Sequence, residues 1–208
     1  MLVELFAPTS VVDVGCGTGA WLQVFVDNGV DDVVGIDGPY IDRGQLRIPP
    51  ARFVAADLSA LPSPERTFDL ALSLEAAHYA PPEAAPQIVA ALASLAPVTY
   101  FSAAIPHQGG GPGLNRQWPR YWSDLFAERG LRCVDALRAR LWEHPEVDWW
   151  YAQNGLVYMR EDLAAAESTA HPLPLVHPQL YLEVAAPSEQ PPTAAGDGRL
   201  ARLLRRRG

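Results

Sequence analysis

Residues 11 to 22 read V-V-D-V-G-C-G-T-G-A-W-L, an apolar run that opens into three glycines at alternate positions. This pattern predicts a buried strand that turns tightly into a helix. Glycine permits positive φ there and lets backbone N–H groups and the helix N-terminus approach a ligand closely. Gly15, Gly17 and Ala20 also satisfy the dinucleotide pattern G-x-G-x-x-A, so the loop alone does not exclude NAD. Asp13, two residues before Gly15, decides between the ligands. An acid at that strand end repels a diphosphate and suits a ligand carrying an ammonium group.

Outward from this loop, strands are expected at 10 to 14, 32 to 36, 52 to 55, 68 to 73, 97 to 103, 131 to 137 and 155 to 160, with helices at 18 to 28, 82 to 95 and about 118 to 129. Apolar strands alternating with helical crossovers imply a parallel sheet with helices on both faces. The second strand, V-V-G-I, ends in Asp37, which can accept from two ribose hydroxyls. The third is followed by A-D-L, where Asp57 can accept from an exocyclic adenine amine while Leu58 offers its backbone N–H. The fourth, F-D-L-A-L-S-L, contributes Asp69 and runs to Glu75. Any one of these acids reads equally well as a helix cap or turn residue. Carboxylates closing consecutive strands, with glycines after the first, together read as a site for S-adenosylmethionine.

V-D-V-G-C-G-T-G, I-D, A-D-L and F-D-L-A-L-S-L-E resemble, in order, the glycine motif, the ribose-binding acid, the adenine-binding step and the fourth-strand motif of class I S-adenosylmethionine-dependent methyltransferases. The resemblance covers roughly residues 10 to 160. It implies an α/β fold, a Rossmann-like doubly wound sheet of about seven strands, mostly parallel with an antiparallel last strand. It also implies S-adenosylmethionine as cofactor, held by Asp13, Gly15, Gly17, Gly19, Asp37, Asp57, Leu58 and Glu75. Further along, F-S-A-A-I-P-H-Q-G-G, Q-W-P-R-Y-W and W-W-Y-A-Q-N are similar to a group of small bacterial methyltransferases of unassigned substrate. Two features depart from the superfamily. Only nine residues precede the first strand, and the E-x-x-E-H of ubiquinone-biosynthesis O-methyltransferases is replaced by E-A-A-H-Y. The second change removes a hard oxygen ligand, and no metal is expected.

Ligands of open parallel sheets bind beyond the carboxyl ends of the strands, where segments 75 to 82, 104 to 118 and 138 to 154 emerge. Their aromatic and amide residues suit a polar, ring-bearing substrate such as a sugar or glycosylated metabolite, with Trp118, Asn115, Trp149 and Tyr151 as candidate contacts. A hydroxyl acceptor is expected, and for its proton His107 is the first candidate base and His78 the second. Two other readings stand beside this one. The first is a cofactor-binding scaffold without turnover, and the second is an NAD-dependent oxidoreductase resting on G-x-G-x-x-A alone.

Composition bounds the partners. The chain has 208 residues and a formal charge of -8, and residues 1 to 160 hold 18 Asp and Glu against 11 Arg, a poor surface for nucleic acid. Cys16 and Cys133 are the only cysteines and have no metal-ligand spacing, which fits a reduced cytoplasmic setting. No leader or membrane span is read in the sequence. A domain at 1 to 185 and a disordered Pro/Ala/Arg-rich tail at 186 to 208 are expected, with the acceptor a small molecule and no membrane partner.

Overall fold

The computed structural model describes residues 1–62, 65–109, 111, 113–164 and 168–185. Its elements are α1 (Leu2–Phe6), β1 (Ser10–Val14), α2 (Ala20–Asp27), β2 (Asp32–Asp37), β3 (Phe53–Ala55), β4 (Leu70–Leu74), α3 (Ala85–Leu95), β5 (Val98–Ser102), α4 (Pro119–Ala127), β6 (Leu131–Val134), α5 (Arg138–Leu141), α6 (Trp149–Asn154), β7 (Leu156–Arg160) and α7 (Pro178–Ala185). The central strands are apolar throughout because both of their faces are covered. Every residue of β4 and β5 is buried, and Val11, Val12 and Val14 of β1 are fully enclosed. Alternation then divides the core in two. Val12, Val14 and Phe101 meet α3 and α4 through Ile88, Leu92, Trp122 and Phe126, while Val11, Leu70 and Leu72 meet α2 through Leu22 and Phe25.

The strands run β3-β2-β1-β4-β5-β7-β6, parallel from β3 to β5, with β7 antiparallel to both β5 and β6. This is the doubly wound sheet expected, with an antiparallel β7. The order reverses between β1 and β4, which opens a crevice above their carboxyl ends, where Gly15 and Glu75 lie. Because β7 returns antiparallel, the 21 residues that separate Val134 from Leu156 fold over that same edge, carrying α5 and α6.

The residues ahead of β1 hold α1. The strand expected at 131 to 137 stops at Val134, because Asp135 turns away to bind Arg138. Segment 168–177 docks on the domain through polar bonds. Thr169 N donates to Cys133 O at 2.8 Å, and the buried Arg138 donates to Leu173 O at 2.8 Å while Leu173 itself is exposed. The tail expected at 186 to 208 lies outside the described residues.

The first glycine of the loop is required by contact as well as by angle. Gly15 has φ +87°, and a Cβ there would lie 2.2 Å from Ala76 Cβ, whereas Gly17 has φ +54° with nothing within 4 Å. Gly15→Ala is therefore expected to cost about 2 to 5 kcal/mol in denaturant unfolding, from strain plus overpacking, and Gly17→Ala only about 1 to 2 from its backbone angle. Equal losses for the two variants would contradict the close approach of Ala76.

Candidate active site

The end of β2 places Asp37 against the glycine loop. One of its oxygens accepts from Gly17 N at 2.7 Å and the other from Gly38 N at 2.6 Å and the Tyr40 hydroxyl at 2.5 Å. The Tyr40 ring lies over Gly38, where a Cβ would come within 2.0 Å of it. Donating to Asp37 and burial push the Tyr40 hydroxyl up to about 12. Asp13, on β1 beside Gly35 of β2, is 1% exposed, and neither of its carboxylate oxygens has a partner among the described residues. Burial, and secondarily the charge of Asp37, raise its pKa to about 7. A buried acid without a donor is costly unless a positive or donating group completes it. A nucleoside carrying an ammonium group meets that requirement.

On the other side of the crevice, Glu75 has φ +52° and is held at its N–H and at both carboxylate oxygens: its N–H donates to Ser102 O, and its two oxygens accept from Gln108 Nε2 at 3.1 Å and Asn154 Nδ2 at 2.9 Å. Burial raises its pKa against the opposing pull of these donors. Gln108 Oε1 in turn accepts from Gln153 and Asn154 of α6, so the carboxylate and three amides form one buried network. Beside it opens a cavity of about 300 Å³ lined by Glu75, His78, Gln108, Trp149, Trp150 and Glu183 among others. A second groove, about 530 Å³, runs past Gly38, Tyr40, Asp57 and Leu58, and Tyr79 is a wall of both.

Residues 11–97 match the family described as "Methyltransferase domain". The seven-stranded sheet is similar in fold to solved S-adenosylmethionine-dependent methyltransferases. The chain is 31% identical over 129 residues to the malonyl-[acyl-carrier protein] O-methyltransferase of Pseudescherichia vulneris, a match covering 60% of this chain and 49% of that one. It is 37% identical over 60 residues to the ribosomal RNA large subunit methyltransferase E of Caulobacter vibrioides, 29% and 25% of the two chains. The chain thus matches half or less of the length of these curated relatives. Among solved structures, an S-adenosylmethionine-dependent methyltransferase from Mesorhizobium loti aligns with TM-score 0.55 at 20% identity, over 73% of this chain and 90% of that one. CalS10, an amino pentose methyltransferase from Micromonospora echinaspora, aligns with TM-score 0.54 at 17% identity, over 76% and 86%.

Within the matched segment, Asp13, Gly15, Gly17, Gly19 and Asp37 gather at one loop, and Asp57 and Leu58 line the neighbouring groove. Asp57 also accepts from Ser59 N and Oγ, which lowers its pKa. Asp69 is at the opposite end of the sheet, ahead of β4, where it accepts from Thr9 and Ser10. Of the four substrate candidates only Trp149 lines the 300 Å³ cavity. Trp118 is exposed at the start of α4, Asn115 is buried with its N–H on His78 O, and Tyr151 turns to the other face against Trp21, 5.2 Å between ring centres. His78 lines the cavity, but its Nδ1 accepts from Ala104 N at 3.1 Å, and burial and then Arg116 lower its pKa to about 4. His107 is exposed at φ +69° and outside the cavity lining. Glu183, Gln153 and Tyr40 were not singled out in the sequence. They come to the site from distant or irregular segments that carry no periodic signal.

The Asp13 carboxyl gives a pH test whose sign is fixed. Its folded pKa of about 7 exceeds the ordinary 3.8, so its contribution to stability is complete below pH 4 and is lost as pH rises through 7. Asn cannot ionise, so the stability of Asp13→Asn relative to the parent is expected to grow by about 4 kcal/mol from pH 4 to pH 7. His78 has the opposite sign, gaining from pH 4 to 6.5, and cancels in the difference between the two proteins. A difference that stays flat across this range in chemical unfolding would contradict a buried, unpartnered Asp13.

Proposed function

We propose that this chain is an enzyme that transfers a methyl group from S-adenosylmethionine to a small polar acceptor, a sugar or natural-product intermediate, seated in the cavity beside Glu75. The observation that carries this reading is the pairing at the glycine loop of Asp37, which holds the loop by Gly17 N, with the partnerless Asp13. S-adenosylmethionine supplies an electrophilic methyl on a sulfonium. The chain's own residues align the acceptor and keep water out, since in-line displacement rewards positioning above all. The fixed network of Glu75, Gln108 and Asn154 supports such alignment.

A hydroxyl acceptor, expected from the sequence, needs a base at the cavity. His78 is poorly suited, since Nδ1 is occupied and its pKa is low, and His107 stands outside the lining. His107→Ala is accordingly expected to keep turnover within about threefold of the parent, far less than the 100-fold or more that loss of a general base brings. The excess of acid over Arg supports a small-molecule acceptor over nucleic acid. A cytoplasmic location is supported by two free, buried cysteines and by the finding that no helix among the described residues is long and apolar enough to cross a membrane.

Two measurements test the proposal. Asp37→Ala should weaken S-adenosylmethionine by about 2 to 4 kcal/mol, the loss of two overlapping charge-assisted hydrogen bonds. Incubation of the parent with methyl-labelled S-adenosylmethionine and a panel of sugars and glycosylated metabolites should move label into an acceptor. Tight cofactor binding with no transfer to any member would favour the scaffold reading.

A further inference from the structure

Four properties of the 300 Å³ cavity point the same way. First, among the described residues its charged lining groups are Glu75 and Glu183 and no Arg lines it, although the charge of Arg116 is felt at His78. Second, Glu75 is bound by the amides of Gln108 and Asn154, which fix its direction without cancelling its charge, and no ion pair to Glu75 or Glu183 occurs among the described residues. Third, His78 accepts at Nδ1 from a backbone N–H, so in the neutral form its other nitrogen carries the hydrogen and the ring brings no cation. Fourth, Trp149 and Trp150 stand edge to face, 5.6 Å apart at 79°, both half-buried, and so present two differently oriented aromatic faces beside the carboxylates. Negative charge with aromatic faces attracts a cation and repels phosphate or carboxylate.

We propose that this cavity takes the cationic, amine-bearing end of the acceptor, so that the methyl goes to nitrogen. This rests on the methyltransferase reading and names its substrate class. An amine is also the acceptor that least needs a protein base, in keeping with the positions of His78 and His107. The ammonium gives its proton to water at the cavity mouth. The nitrogen lone pair then forms the N–CH₃ bond while the S–CH₃ bond breaks and its electron pair stays on sulfur. The products are a methylammonium and neutral S-adenosylhomocysteine, so charge and atoms balance. Glu75 and the tryptophans hold the amine end, and Glu183 of α7 adds a second carboxylate.

The test uses an isosteric pair, choline and 3,3-dimethylbutan-1-ol, which differ in charge at one atom. Binding to the full chain is read from tryptophan fluorescence with S-adenosylhomocysteine in excess. Choline is expected to bind at least about tenfold more tightly than its neutral isostere, in the range that charge and desolvated aromatic faces give. Glu183→Gln, an exposed position where folding is not at risk, should weaken choline about threefold or more and the isostere less than about twofold. Trp149→Leu should do the same more strongly. Equal affinities for the two probes, or no saturable choline binding, would overturn the amine assignment. Cofactor binding measured separately keeps the outcomes apart: choline selectivity without cofactor binding sinks the methyltransferase reading, and cofactor binding without choline selectivity sinks only the amine.

Discussion

The site depends on one carboxylate, Asp37, which stands where the second strand ends and holds the glycine loop of the first. By accepting from Gly17 N and Gly38 N it fixes the loop that must approach a cofactor, and by accepting from Tyr40 it draws a ring over Gly38. Its own charge then raises the pKa of Asp13, already raised by burial. Two acids so close, one bonded three times and one not bonded at all, leave the loop short of positive charge. That shortage suits a cation better than a diphosphate.

Everything else in the fold serves to bring a second wall to that loop. The reversal of strand order between β1 and β4 opens the crevice, and the antiparallel β7 returns the chain so that α6 lies over it. Gln153 and Asn154, the last two residues of α6, thereby reach Gln108 and Glu75. Arg138, 1% exposed and bonded to Asp135 and Leu173 O, anchors the neighbouring segment that leads to α7 and Glu183. A buried network of this kind is stiff when every member is satisfied.

The strands and the loop were legible because their signals are local. Double burial writes continuous apolar runs, and a tight turn with close contact writes glycine. The acids were legible only by their place relative to a strand. Asp37 closes β2 and lies at the site, but Asp69 precedes β4 and lies at the opposite end of the sheet, a difference of a few residues that periodicity does not resolve. The second wall of the crevice was the least legible. Glu75 meets Gln108 and Asn154 across 33 and 79 residues of sequence, and no local pattern encodes such pairs. In α6 each residue turns about 100° from the last, so Trp149 faces the cavity while Tyr151, two residues on, faces Trp21 on the other side.

On the proposed function, the paired acids at the glycine loop select an ammonium-bearing nucleoside over a dinucleotide. Calorimetric titration of the chain with S-adenosylmethionine and, in parallel, with NADH tests it most directly. Saturable one-to-one binding of S-adenosylmethionine with no heat from NADH at the same concentrations is the predicted result. Binding of NADH without binding of S-adenosylmethionine would overturn that selectivity.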